Sequence, residues 1–240
     1  MNNNRKKKVF YWCLLGTILI VIILLSVQLF NKYTDDQKTK NAIENVLKIK
    51  EEIIAEDNSL NVEELRKIYN NEDIVGILKI DGTTILDPIV KTINNTYYLN
   101  HTVNKEYSIA GALFVDYRTA LDSKQMNIYG HNSAKFKAPF RQLKKYLKED
   151  FYKENKYIEI YTENDILTYE IFSVEIAVNV YEHEKISFNN NDEWNRHFNI
   201  LKNNSIYPID VDITGEDNIL VLQTCLDNNN SLLVISSRKV

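Results

Sequence analysis

The sequence predicts a mostly-β domain, a barrel or sandwich of largely antiparallel strands with helical insertions, carried behind an apolar N-terminal helix. Two observations predict it. From Ile74 onward the hydrophobic period changes from helical to strand-like, and short apolar runs follow one another between turn residues with few helix-like segments among them. Before Ile74 the spacing is helical, and residues 9–30 carry no charge at all.

The N-terminal elements come first. Arg5, Lys6, Lys7 and Lys8 place four positive charges ahead of Val9–Phe30, a 22-residue apolar run. As a helix it measures about 33 Å at 1.5 Å per residue, against a hydrocarbon core of about 30 Å. A secretory signal would have a shorter apolar region and a small-x-small cleavage site, and Gln28–Lys32 offers none. Tyr11 and Trp12 lie near one end, where aromatic rings favour the interface. With the basic cluster on the cytoplasmic side, residues 1–8 form a cytoplasmic tail, 9–30 a single-pass anchor, and the rest lies outside the cell membrane. Residues 31–72 read as a helical spacer. Ala42, Ile43, Val46, Leu47, Ile53 and Ile54 make one apolar stripe, and Asn61 with Glu64 makes a capping box for a second helix.

Residues 73–240 read as one strand-rich domain. Ile74–Ile80 and Thr84–Leu86 flank Asp81-Gly82, a hairpin signal. Further strands are expected at Ile109–Tyr117, Gln125–Tyr129, Lys156–Tyr161, Leu167–Val180, Ile219–Thr224 and Leu232–Ser236. Two helices are expected between them, one opened by Pro139 and one over Asp192–Leu201.

Composition narrows the function classes. At 44% hydrophobic and 26% charged, the 240 residues are ordinary globular material. Beyond the first eight residues stand 25 basic against 33 acidic residues, a net of −8, which argues against nucleic acid as a partner. The two cysteines, Cys13 in the apolar run and Cys225, are separated by the bilayer in this reading and cannot pair. A lone external thiol is unusual, because secreted chains tend to pair their cysteines. Cys225 ends the buried run Ile219–Leu222 and precedes the loop Leu226–Asn230, a rigid and open position that suits a nucleophile as well as a small buried hydrophobe.

A thiol nucleophile needs a base or a cation beside it. Among His101, His131, His183 and His197, His131 is best placed, because it follows the strand-like Asn127–Gly130 and so ends a strand as Cys225 does. His183, in a charged loop, and His197, in an amphipathic helix, read as surface residues, and His101 stays ambiguous. The spacing of His and Cys gives no metal site, and no cofactor is implied. Arg238 is the only arginine after Cys225. If residues 226–230 close a hairpin, it lies six or seven residues beyond the point opposite Cys225, about 20 Å away. It is then either a surface charge or a group brought in by a shifted register.

Several stretches resemble the sortases, membrane-anchored cysteine transpeptidases of Gram-positive bacteria, and most closely their class B branch. They are Ile74-Val-Gly-Ile-Leu-Lys-Ile-Asp-Gly-Thr-Thr84, Tyr98-Leu-Asn-His101, Ala110–Arg118, Ile128-Tyr-Gly-His-Asn132 and Leu222-Gln-Thr-Cys225, which looks like the family's Leu-x-Thr-Cys signature. The resemblance implies an eight-stranded sortase-type β-barrel with N-terminal helices and a helix inserted in the long loop before the cysteine strand. It implies Cys225 as nucleophile and His131 as general acid/base. The family's arginine opens the last strand, where this chain has Ser231. Either Arg238 serves from an altered register, or Ser231 and backbone donors stand in, or activity is weak. The implied reaction cleaves a C-terminal sorting signal of a secreted protein after its Thr and joins it to an amine of a cell-wall peptide cross-bridge. A pilin-polymerising enzyme and a non-catalytic binding module on the same fold are the alternatives. Tyr181 and the helix around Trp194 are expected to border the substrate groove.

Overall fold

The strands are β1 (Ile74–Lys79), β2 (Leu86–Val90), β3 (Leu113–Val115), β4 (Gln125–Tyr129), β5 (Tyr157–Tyr161), β6 (Ile166–Ala177), β7 (Ile219–Cys225) and β8 (Leu232–Lys239). They close into a barrel in the order β1-β2-β3-β4-β7-β8-β6-β5. The structure is a computed structural model that describes residues 3–55, 61–178, 182–226 and 230–240. Asp227, Asn228 and Asn229 of the loop before β8 lie outside the described residues, as does Tyr181. Two neighbouring pairs, β2·β3 and β4·β7, are parallel, and the other pairs are antiparallel. Inward-facing Leu78, Ile89, Leu113, Ile128, Phe172 and Leu222 belong to one buried cluster that fills the barrel.

Local chemistry explains where the strands depart from the pattern expected of them. The Asp81-Gly82 turn joins β1 to β2, with the Ile80 N–H donating to Ile85 O at 3.2 Å. Beyond it β2 runs through Pro88 to Val90. It pairs with β3 only from Ile89, so Pro88 sits where one side of the strand is unpaired, a place that tolerates proline. β3 is shorter than the apolar run Ile109–Tyr117, because Gly111 turns the chain at φ +61°. A Cβ there would stand 2.4 Å from Tyr98 O.

Helix α1 runs without a break over Asn3–Ala55, joining the apolar run to the spacer. Among the described residues it is the one helix long and apolar enough to cross a membrane. Its C-terminal half packs on the barrel. Thr39 and Ala42 are buried, and Thr39 Oγ1 accepts from the Ile109 N–H at 3.1 Å. Asp36 pairs with Lys135, and Lys50 with Asp87 at 3.1 Å. Val46 and Ile49 pack against a second buried cluster, while the side chains of Ile53 and Ile54 lie outside the description. Helix α2 (Val62–Tyr69) is capped by Asn61, whose Oδ1 accepts from the Glu63 and Glu64 N–H groups at 2.8 and 3.4 Å. The segment Pro139–Leu147 takes the tighter 3₁₀ form and leads into the short α3 (Glu149–Glu154). Helix α4 (Asn191–Asn203), in the long segment before β7, is capped by Asn190, whose Oδ1 accepts from the Glu193 N–H at 2.9 Å.

Candidate active site

The parallel pairing of β4 with β7 sets the geometry. Its register runs from Gln125 opposite Ile219 to Tyr129 opposite Gln223. Two residues further on each chain stand His131 and Cys225. Three hydrogen bonds carry the alignment past the last paired residues. The Gly130 N–H donates to Gln223 O at 3.3 Å, Thr224 Oγ1 to Gly130 O at 2.7 Å, and Asn132 Nδ2 to Cys225 O at 2.8 Å. Neighbouring strands lie about 4.8 Å apart, so the two candidate residues come from one end of adjacent strands. Cys225 is exposed and His131 partly so.

Among the described residues, one carbonyl holds the imidazole of His131. Nε2 donates to Leu99 O at 2.8 Å, which puts the ring proton on Nε2 and leaves Nδ1 as the basic nitrogen of the neutral ring. Leu99 belongs to the stretch Tyr98-Leu-Asn-His101, which is fixed to β3 through the Ala112 N–H on Tyr98 O at 3.0 Å. His101 itself stacks on Tyr97 with ring centroids 4.2 Å apart and lies outside the pair. Gly130 permits the close approach that brings His131 here, since a Cβ would stand 2.5 Å from Leu113 Cδ2 and 2.7 Å from Phe140 Cδ2. Among the described residues no hydrogen bond joins the thiol to the imidazole, a looseness common in sites without substrate.

Arg238 is not brought to Cys225, which corrects the expectation that it completes the site. On β8 it stands opposite Ile219, the first residue of β7, whereas Cys225 stands opposite Leu232. Six residues of extended strand separate the two positions, about 20 Å. Its guanidinium is engaged by Glu170 of β6, with Nη2 2.8 Å and Nε 3.2 Å from Oε2. The pairing runs unbroken from Ile219 to Cys225 and is continued by the Leu226 N–H donating to Ser231 O at 2.8 Å, so the register does not shift Arg238 upward. Ser231, buried at 4% exposure, occupies the place beside the cysteine.

Two histidines read as surface residues are buried instead. The segment containing α4 covers the face of β4 that carries Gln125, Asn127 and Tyr129, opposite Met126 and Ile128, and the polar side chains of that face supply the partners a buried imidazole needs. His183 Nε2 donates to Gln223 Oε1 at 3.0 Å, and its backbone carbonyl accepts from Gln125 Nε2 at 2.7 Å and Asn127 Nδ2 at 2.9 Å. His197 lies 3.0 Å from Glu182 Oε1 and 2.6 Å from Gln125 Oε1. Burial pushes His183 down to about 4, with Gln223 and Glu182 opposing, and it lowers His197 as well. Trp194 is a core residue, packed against Phe188 and His197 at 3% exposure.

Asp116 closes this layer beneath the pair. It accepts from Tyr129 Oη at 2.8 Å and binds the Arg118 guanidinium through both carboxylate oxygens at 2.9 and 2.7 Å. Burial would raise its carboxyl, but these donors win and hold it at about 2. Asn132, Thr224, Leu99 and Asp116 lie within the stretches that carry the resemblance, but no role for them was legible in the sequence. Asn132 and Thr224 stand beside His131 and Cys225 in the chain, which was the available signal. The contacts of Leu99 and Asp116 are non-local.

Comparison with known proteins follows the same outline. The sortase domain family model matches residues 78–240. Sortase B of Staphylococcus aureus is 31% identical over 167 residues, covering 69% of this chain and 67% of that protein. The crystal structure of Clostridium perfringens sortase B is 32% identical with a TM-score of 0.69, over 74% of this chain and 98% of that one. A crystal structure of sortase B complexed with triglycine is 26% identical with a TM-score of 0.72, over 86% of this chain and 98% of that one.

Proposed function

This chain belongs to the sortase family, on its class B branch, and is a cysteine transpeptidase; from that premise we propose that Cys225 is its nucleophile, His131 its general acid and base, and a sorting-signal peptide its substrate. The observation that carries the assignment is the β4·β7 register, which sets His131 level with Cys225 and is extended to the cysteine by the Asn132 bond.

In this reading His131 Nδ1 takes the proton of the Cys225 thiol, and the thiolate so formed attacks the carbonyl of the Thr in the sorting signal. The tetrahedral intermediate collapses as its C–N bond breaks, and His131 gives the departing amine its proton. A thioester remains on Cys225. An incoming amine attacks it, His131 takes the amine's proton, and the thiolate leaves as the new amide forms. Ser231 and backbone donors replace the family's arginine in stabilising the oxyanion. Triglycine is bound by a sortase B neighbour, and an amine of this kind on a cell-wall cross-bridge is the acceptor we assign to this chain.

The apolar half of α1 anchors the enzyme in the cell membrane, with residues 1–8 in the cytoplasm and residues 73–240 outside as the catalytic domain. Residues 31–72 act as a spacer docked against that domain. Anchoring keeps the enzyme beside secreted substrates and lipid-linked wall precursors, raising their effective concentration. The test is cleavage of a panel of quenched sorting-signal peptides by the full chain in detergent. Cleavage by the wild type and its loss in both Cys225→Ala and His131→Ala is expected. Retention of cleavage by Cys225→Ala would remove the assignment.

A further inference from the structure

The backbone ladder between β4 and β7 runs out just before the candidate pair. In a parallel ladder the rungs recur every two residues. Since the Gly130 N–H donates to Gln223 O, the next rung in the series would join the Asn132 N–H to Cys225 O. The structure makes that rung with a side chain, Asn132 Nδ2 donating to Cys225 O at 2.8 Å. Arg141 Nη1 donates to Asn132 Oδ1 at 3.3 Å. That contact fixes which end of the amide faces the cysteine, because guanidinium can only donate and a carbonyl can only accept.

We propose that Asn132, oriented by Arg141, is a positioning residue that holds Cys225 level with His131 where the sheet ends, an inference that rests on the assignment of that pair above. Cys225 needs such a hold. Its β8 side is paired with Leu232, but the chain leaves β7 directly after it, and on the β4 side the carbonyl is met by the Asn132 amide. A misplacement of about 1 Å at a reacting pair costs on the order of 100-fold in rate. With Ser231 at the start of the last strand and Arg238 at the far end of the barrel, Arg141 is the arginine that described hydrogen bonds connect to the cysteine.

The test uses the full chain in detergent and iodoacetamide as the probe, which requires no knowledge of the substrate. The labelling rate of Cys225 at pH 7 is read by mass spectrometry on its own peptide, separately from Cys13. His131→Ala is expected to slow labelling. Asn132→Ala and Asn132→Asp are both expected to slow it about fivefold, because the aspartate keeps the contact to Arg141 but has no N–H for the cysteine carbonyl. Arg141→Ala is expected to slow labelling about threefold in the wild type and not at all in Asn132→Ala, since it acts through that residue. Labelling in denaturant and thermal melts show whether each variant is folded. If Asn132→Ala melts early, the isosteric Asn132→Asp carries the test. Wild-type labelling of His131→Ala would remove the pair and this inference with it. A slowed His131→Ala beside an Asn132→Asp that labels like wild type, or an Arg141→Ala effect equal in both backgrounds, would overturn the inference alone.

Discussion

The buried histidine beneath the site makes stability depend on pH in a calculable way. His183 is wholly buried and donates to Gln223, two residues before Cys225 on β7. Burial moves it from 6.5 to about 4. The unfolded chain takes up this proton as the pH falls through 6.5, while the folded protein refuses it until near 4. The unfolded state therefore binds more protons across that window, and stability is complete above pH 6.5 and falls as pH drops toward 4. Integration gives a loss of about 2 kcal/mol at pH 5 and about 3 kcal/mol at pH 4. For a chain of this size the larger figure corresponds to roughly 6–12 °C in melting temperature. His197 is shifted down by burial and adds to the effect, whereas the carboxyl of Glu175 is raised by burial and opposes it. Comparison with His183→Gln isolates the one residue. The chain has two tryptophans, so a Trp12→Phe background leaves Trp194, stacked 5.6 Å from His197, as the fluorescent reporter. Between pH 7 and pH 4 the parent should lose about 6–12 °C more than His183→Gln. Parallel melting curves across that range would refute the reasoning.

Other expectations follow from the same geometry. Arg238→Ala should leave peptide cleavage within about twofold of wild type and lower stability by no more than about 1 kcal/mol, because its ion pair with Glu170 is partly exposed; a loss of cleavage with the fold intact would restore it to the site. Gly130→Ala should drive a Cβ into Leu113 and Phe140 and destabilise by about 1–3 kcal/mol, and cleavage measured well below its melting point should fall further than the folded fraction does. An unchanged kcat in a folded Gly130→Ala would show that the close approach does not position His131.

What the sequence disclosed and what it withheld divide along the range of the interactions. β4 was legible at both ends because Gln125–Tyr129 alternates polar and apolar residues between turn segments. The Asn61 cap was legible because capping is decided within four residues. β2 was expected at Thr84–Leu86 but runs over Leu86–Val90, and that it continues through Pro88 depends on where β3 begins to pair. The two parallel pairs were not legible, since parallel partners are joined by long crossovers whose pairing no local pattern encodes. Hairpin counting had already placed Arg238 about 20 Å from Cys225, and the β7·β8 register gives the same six-residue separation. His183 and His197 were misread because their partners, Gln125, Asn127 and Gln223, lie far away in the chain.

The most direct test of the central claim is the covalent intermediate itself. The full chain in detergent is mixed with the sorting-signal peptide panel, quenched in acid within a turnover and analysed by mass spectrometry. The account predicts an acyl group ending in the substrate Thr, attached to Cys225 in the wild type, absent in Cys225→Ala and discharged by triglycine. An acyl group found on another residue, or cleavage with no acyl group on Cys225 at any time, would contradict it.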